Sequence, residues 1–166
     1  MKFISIQPVT FLIISFCFIF SAFRIVEVDR AEFYEALSSK TEEGIDKMIS
    51  RLDLEKSSSI VNAYQGALYM KKANFVKGVN MKVKTFKKGA HLLEDEIGKN
   101  PSNTEYHFLR LAIQEHAPGI LGYNKNKDED KVAIVKGFSK LNSSLKSVIS
   151  NYAKDSKVLK ESDLNN

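Results

Sequence analysis

The sequence has one cysteine, three prolines and no tryptophan in 166 residues. A single thiol closes no loop, so a disulfide-stapled miniprotein is excluded. Only the first two dozen residues are apolar enough to enter a bilayer, which excludes a polytopic membrane protein. No stretch alternates apolar and polar residues in the manner of a half-buried strand. Glycine-rich phosphate loops, nucleophile elbows and histidines three or four residues apart are all missing. What is present is 43% hydrophobic and 27% charged. That composition excludes a disordered or collagen-like chain and suits one domain, since a chain of about 150 residues buries roughly 70% of its unfolded surface.

The N-terminus reads as an address. Lys2 precedes a charge-free run from Phe3 to Phe20, densest from Val9 onward. One basic residue followed by about a dozen apolar ones is the anatomy of a secretory signal peptide, with cleavage expected near Ala22. Phe20 departs from the small residue expected two positions before Ala22, so residues 3–23 as an uncleaved anchor in the inner membrane is the rival. Phe16 is the wrong residue ahead of a lipidated cysteine, which argues against lipidation of Cys17. Cleavage would remove that cysteine and leave a mature chain without thiol or disulfide chemistry. The expected organisation is residues 1–22 as leader, 23–160 as a helical domain and 161–166 as a frayed tail.

From residue 25 onward apolar positions recur at three and four, the helical period. The first helix carries Val26, Phe33 and Leu37. A capping box at Ser39 to Glu42 opens a second, with Ile45, Met48, Ile49 and Leu52 on one face. The run Ser57 to Ser59 caps a third, with Ile60, Tyr64, Ala67, Leu68 and Lys71 in register and Gly66 beside them. A glycine inside a helix costs about 1 kcal/mol against alanine, so Gly66 predicts a close crossing where no side chain fits. The fourth stripe is Val83, Phe86, Ala90, Leu93 and Ile97, ending at Gly98 with Pro101 beyond. A second box, Ser102 to Glu105, opens a fifth helix through Tyr106, Leu109 and Ile113. Asn126 and Glu129 start a sixth, with Ile134, Phe138, Leu141, Leu145, Val148 and Tyr152 on its stripe. Short connections predict an all-α fold of about six helices in three antiparallel pairs.

Phe86 to Glu94, followed by Asn100-Pro101-Ser102-Asn103, resembles the second helix of a tetratricopeptide repeat and the turn after it. Gly89, Leu93 and Pro101 match the family's small, bulky and helix-ending positions, and Gly66 and Tyr69 match the small and aromatic positions of a first helix. Gly66 and Gly89 stand 23 residues apart, against about a dozen within the family's 34-residue unit. Residues 72–81 are therefore expected to lengthen the hairpin. The chain as a whole resembles small exported tetratricopeptide-like proteins of Gram-negative bacteria. That resemblance implies a scaffold that binds a protein or peptide in a groove, and it supplies no catalytic residues.

Site chemistry is sparse. Asn124, Asn126, Asp128 and Asp130 alternate like calcium ligands, yet Glu129 replaces the loop glycine and Val135 the bidentate acid. Helix capping accounts for the same residues, and no metal or cofactor is expected. Tyr106, Arg110 and Gln114 share one helical face and form a candidate partner-binding strip on a groove wall, with Arg110 as a structural clamp near Pro118 the alternative. Seven lysines and no acid lie between Lys71 and Lys88, whereas seven acids face two basic residues between Glu27 and Asp46. Lys82, Lys84, Lys87 and Lys88 are the candidate contacts to an anionic surface. Nucleic acid is not expected, because no base-stacking aromatics accompany these lysines. The expected function is a non-enzymatic exported helical-repeat protein, periplasmic or extracellular, acting as an adaptor or scaffold for another envelope protein or peptide. One alternative is a membrane-anchored protein touching anionic lipid or glycan through Lys71 to Lys88. A weaker one is a metal-dependent hydrolase using His107, Glu115 or His116.

Overall fold

The structure, a computed structural model, describes residues 28–165. The expected leader or anchor lies outside them. Among the described residues all regular structure is helical, and no helix is long and apolar enough to cross a membrane. The order is α1 (Arg30–Ser38), α2 (Glu42–Asp53), α3 (Ser59–Lys72), α4 (Val79–Lys99), α5 (Thr104–His116), α6 (Lys127–Phe138) and α7 (Ser143–Asp155), with short 3-10 turns at Gly119–Leu121 and Glu161–Leu164.

Polar caps set most helix starts. The Asp29 carboxylate accepts from the Ala31 amide at 2.8 Å, and Ser58 Oγ from Val61 at 3.4 Å. Two starts differ from expectation. Thr41 rather than Ser39 caps α2, accepting from the Gly44 amide, while Ser39 bonds Thr41 instead. Asn103 rather than Ser102 caps α5, accepting from the amides of Glu105 and Tyr106. Glu105 is thereby released from capping and turns into the core. Helix α4 continues through Gly98 to Lys99, and Asn100 caps its end.

The most extensive helix pair is α3 with α4. Ser59 at the start of α3 bonds Glu96 near the end of α4 at 2.6 Å, and Lys82 near the start of α4 reaches the Asn74 carbonyl just beyond α3, so the two run antiparallel. Midway they cross at Gly66 and Gly89. A Cβ on Gly66 would lie 2.9 Å from the Gly89 carbonyl oxygen and from the Leu93 amide nitrogen. Backbone meets backbone here, which accounts for both glycines. The connection takes only residues 73–78, and 79–81 extend α4.

The expected sixth helix is two helices. Its stripe stays in phase across the break, but the Asn142 side chain accepts from the Leu145 amide at 2.9 Å and starts α7. The Lys146 ammonium holds the Ser139 carbonyl on the other side of the bend. The tail is also not frayed within the described residues. Leu159 and Leu164 are buried, and Asp163 accepts from the Lys160 amide at 2.8 Å to close the last turn.

The core joins all seven helices. Phe33 of α1 stacks on Tyr64 of α3 with ring centroids 3.6 Å apart, and Leu52, Leu68, Leu93, Ile134 and Ile149 are fully enclosed. Helix α5 sits at the centre, with ten of its thirteen residues buried.

Candidate functional site

Helix α5 is central, so most of its polar residues are buried and call for partners. Glu105 accepts from Tyr64 at 2.6 Å, Tyr34 at 3.1 Å and Arg30 Nε at 3.1 Å. Burial, then the neighbouring carboxylate, pushes both phenols well above their ordinary range. Tyr106 donates to Ser59 Oγ at 3.0 Å, and that hydroxyl donates on to Glu96. Burial would raise Glu96, but hydrogen bonds from Ser59, Asn62 and Lys99 outweigh it and hold the carboxyl below its usual value.

One turn on, Arg110 spreads across three carboxylates. Its guanidinium forks onto Asp130 of α6 and also reaches Glu94 at 2.8 Å and Glu129 at 3.1 Å. His107 Nδ1 lies 2.7 Å from Asp130 Oδ1 and Nε2 lies 2.9 Å from the Pro101 carbonyl. The Asp130 hydrogen bond, working against burial, raises the imidazole pKa. Tyr123 donates to Glu94 at 2.6 Å, completing the cluster.

His107, Glu129 and Asp130 together have the donor types and proximity of a metal centre. Arg110 already stands where a cation would sit, engaging both Asp130 oxygens and one from Glu129. A metal there would face a fixed positive charge, so this cluster is an ion network built on buried Arg110 and Asp130, with Glu94 and Glu129 reaching solvent. At the end of α5, Glu115 accepts from Tyr152, Ser156 and the Lys157 amide. Burial opposes ionisation of Glu115, but those donors hold its pKa below the ordinary value.

The residues singled out in sequence thus fall into two groups. Tyr106, Arg110 and Gln114 do share a face, but it is packed inside the bundle, with all three at most 3% exposed, and forms no solvent-open strip. Arg110 is a clamp on acids of α4 and α6 rather than on carbonyls near Pro118. Lys82, Lys84, Lys87 and Lys88 are exposed along α4, with the Lys88 ammonium 3.7 Å above the Tyr69 ring. Glu115 and His116 do not form a pair, since His116 is exposed and its Nδ1 bonds the Ala112 carbonyl. Asn126 bonds Glu129 instead of capping α6 through the backbone.

The feature the sequence did not disclose is a cleft of about 890 Å³ bounded by α1, the α3–α4 hairpin, α5 and α7. Its inner surface is apolar: Met70, Phe86, Phe108 and Ile113 are buried within it. Lys71, Lys82, Val79 and Ile120 lie at its solvent side. The signal for it is faint, because residues such as Phe86 and Ile113 read as ordinary core positions. No family model, curated protein or solved structure matches the chain.

Proposed function

We propose that the chain is a non-enzymatic exported helical protein that works as an adaptor in the cell envelope, holding the apolar part of a partner in the cleft beside α5. The observation that carries this reading is the cleft itself. Its volume falls in the range of about 300–1,000 Å³ typical of ligand sites, and its walls are largely aliphatic and aromatic. Glu105, Tyr106, His107, Arg110 and Glu115 of α5 are held in structural bonds, which favours binding over catalysis. Support for export comes from the charge-free run Phe3 to Phe20. The glycine crossing of α3 and α4 and Pro101 after α4 support a tetratricopeptide-like hairpin.

A neutral solvatochromic dye such as Nile red tests the reading. The full chain is expected to bind it with a blue shift. Ala112→Trp and Val148→Trp, each filling the cleft from a different wall, are expected to abolish binding while the helical circular dichroism is retained. Equal dye binding by both variants would sink the proposal.

One observation favours a second mode, contact with an anionic lipid surface through Lys71 to Lys88. Val79 is 76% and Met81 52% exposed beside Lys77, Lys82 and Lys84, an apolar tip set among cations. Such a tip suits a bilayer better than a glycan, because its apolar side chains gain by entering lipid. Salt-sensitive sedimentation with phosphatidylglycerol vesicles, and none with phosphatidylcholine vesicles, is the expected result.

A further inference from the structure

We propose that the occupant of the cleft is a single acyl chain ending in an anionic head group, with Lys71 and Lys82 holding the head. This inference rests on the cleft being a binding site. Polarity changes along the cavity. Phe108, Met70, Phe86 and Ala73 are between 2% and 7% exposed and form its dry end, whereas Lys82, Asn74, Val79 and Ile120, with Ser38, His116 and Asn151, face solvent. A ligand matching that gradient is apolar along its length and polar at one tip.

The sign of the tip follows from the charges. Among the described residues the lining contains Lys71, Lys82 and the exposed His116, and no carboxylate. Lys71 is half-buried and makes no ion pair among the described residues, while Lys72 beside it is paired with Asp46. Among the described residues Lys82 bonds only the Asn74 carbonyl, at 3.3 Å, a weak contact that an anion would displace.

The dry end argues against a peptide. An extended strand there would need partners for its N–H and C=O groups. The hydroxyls of Tyr34 and Tyr152 in the cleft lining are already committed to Glu105 and Glu115, and the other polar lining residues, Ser38, Asn74, His116 and Asn151, are all exposed rather than at the dry end. A helix satisfies its own backbone but is about 10 Å across with side chains, so the cavity would hold only about two turns. The chain's own residues 1–27 carry Lys2, Arg24 and an amino terminus against the single acid Glu27, a positive balance that suits two lysines poorly. A saturated hydrocarbon chain has no polar group to satisfy, and its carboxylate or phosphate meets the lysines.

The test is displacement of Nile red from the full chain by saturated fatty acids of 8 to 16 carbons, the matching alcohols and amines, and alkyl phosphates. Affinity is expected to rise about fourfold per methylene until the cleft is full, from ~0.8 kcal/mol per buried methylene. The acid is expected to bind about tenfold more tightly than its alcohol, from charge-assisted bonds to lysine. The Lys71→Gln/Lys82→Gln variant is expected to lose that preference of acid over alcohol while its helical circular dichroism is retained. Tighter binding of the phosphate than of the acid identifies a phosphorylated head group as the source, and the reverse identifies a free acid. Equal binding of acid, alcohol and amine would overturn the head-group assignment while leaving the cleft as a binding site. So would a preference that survives the double substitution. A peptide of residues 1–27 that displaces the dye at lower concentration than hexadecanoate would make the chain's own segment the occupant. Failure of Nile red to bind at all removes both readings.

Discussion

The guanidinium of Arg110 closes on both oxygens of the Asp130 carboxylate, Nε to Oδ2 at 2.9 Å and to Oδ1 at 3.0 Å, and Nη2 to Oδ1 at 2.7 Å. Both residues are buried, so neither charge has water to fall back on. Removing Asp130 leaves Arg110 with only the more exposed Glu94 and Glu129 and takes the carboxylate partner from buried His107, a loss of about 3–5 kcal/mol. Asp130→Ala is expected to lose that much in urea unfolding. Arg110→Lys is expected not to restore the native value, because an ammonium cannot fork across a carboxylate. Since the fork occupies both oxygens, added zinc is expected to leave the thermal midpoint of the chain unchanged.

The α3–α4 crossing predicts opposite outcomes for three glycines. A methyl at Gly66 or Gly89 would meet backbone of the facing helix, which cannot move aside as a side chain can. Gly66→Ala and Gly89→Ala are each expected to destabilise by about 1–3 kcal/mol or more. Gly98 lies in the last turn of α4, where an added Cβ would find nothing within 4 Å, so Gly98→Ala is expected to gain up to about 1 kcal/mol. Thermal unfolding of the three variants separates crossing from exposed turn.

His107 links stability to pH. The groups facing it are Asp130 and Glu129 of α6, Arg110 on its own helix and the Pro101 carbonyl. Its pKa is raised above the ordinary 6.5, chiefly by the Asp130 hydrogen bond. The folded state therefore holds the proton more tightly than the unfolded chain. This contribution is full below about pH 6.5 and is lost as the pH rises through the folded value. Glu115, with its pKa lowered, contributes in the other direction: its share is present above the ordinary carboxylate pKa and is lost as acid protonates the folded form. His107→Gln is expected to flatten the fall in stability on the alkaline side and leave the acid side in place. Denaturation across pH 3 to 9 measures both limbs.

Gln114 is 1% exposed, and neither its amide nitrogen nor its carbonyl oxygen meets a hydrogen-bond partner among the described residues. An unpaired buried amide costs about 1–3 kcal/mol. Gln114→Met keeps the length and drops the polar atoms, so it is expected to stabilise by about 1–2 kcal/mol. Chemical unfolding checks the sign, and a loss would reveal a bond made by the amide in solution.

Legibility in the sequence followed the range of the interaction. Helix identity came through because the apolar period is local, and Gly66 announced its crossing because an interior glycine is costly without one. Glu105 reads as a capping acid, since its spacing from Ser102 fits a box, while its actual partners lie 41 to 75 residues earlier in the chain. Arg110 and Asp130 likewise meet across two helices and leave no periodic trace. The α6–α7 break was hidden because Phe138, Leu141 and Leu145 stay in phase through it, although Asn142 is a strong cap in its own right. The cleft was hidden for a related reason, since Phe86 and Ile113 look the same whether they face a neighbour or an opening.

Helix α5 ties the molecule together at three separate heights, through Glu105 to α1 and α3, Arg110 to α4 and α6, and Glu115 to the segment after α7. In a helix each residue turns the next by about 100°. One residue inserted early in α5 would therefore rotate the later ties away from their partners together, whatever its own chemistry. The exposed bend at Ser139 and Lys140, after which α7 starts on its own Asn142 cap, can absorb the same change locally. Length changes along this chain are thus expected to accumulate in its bends and to be purged from the thirteen residues of α5.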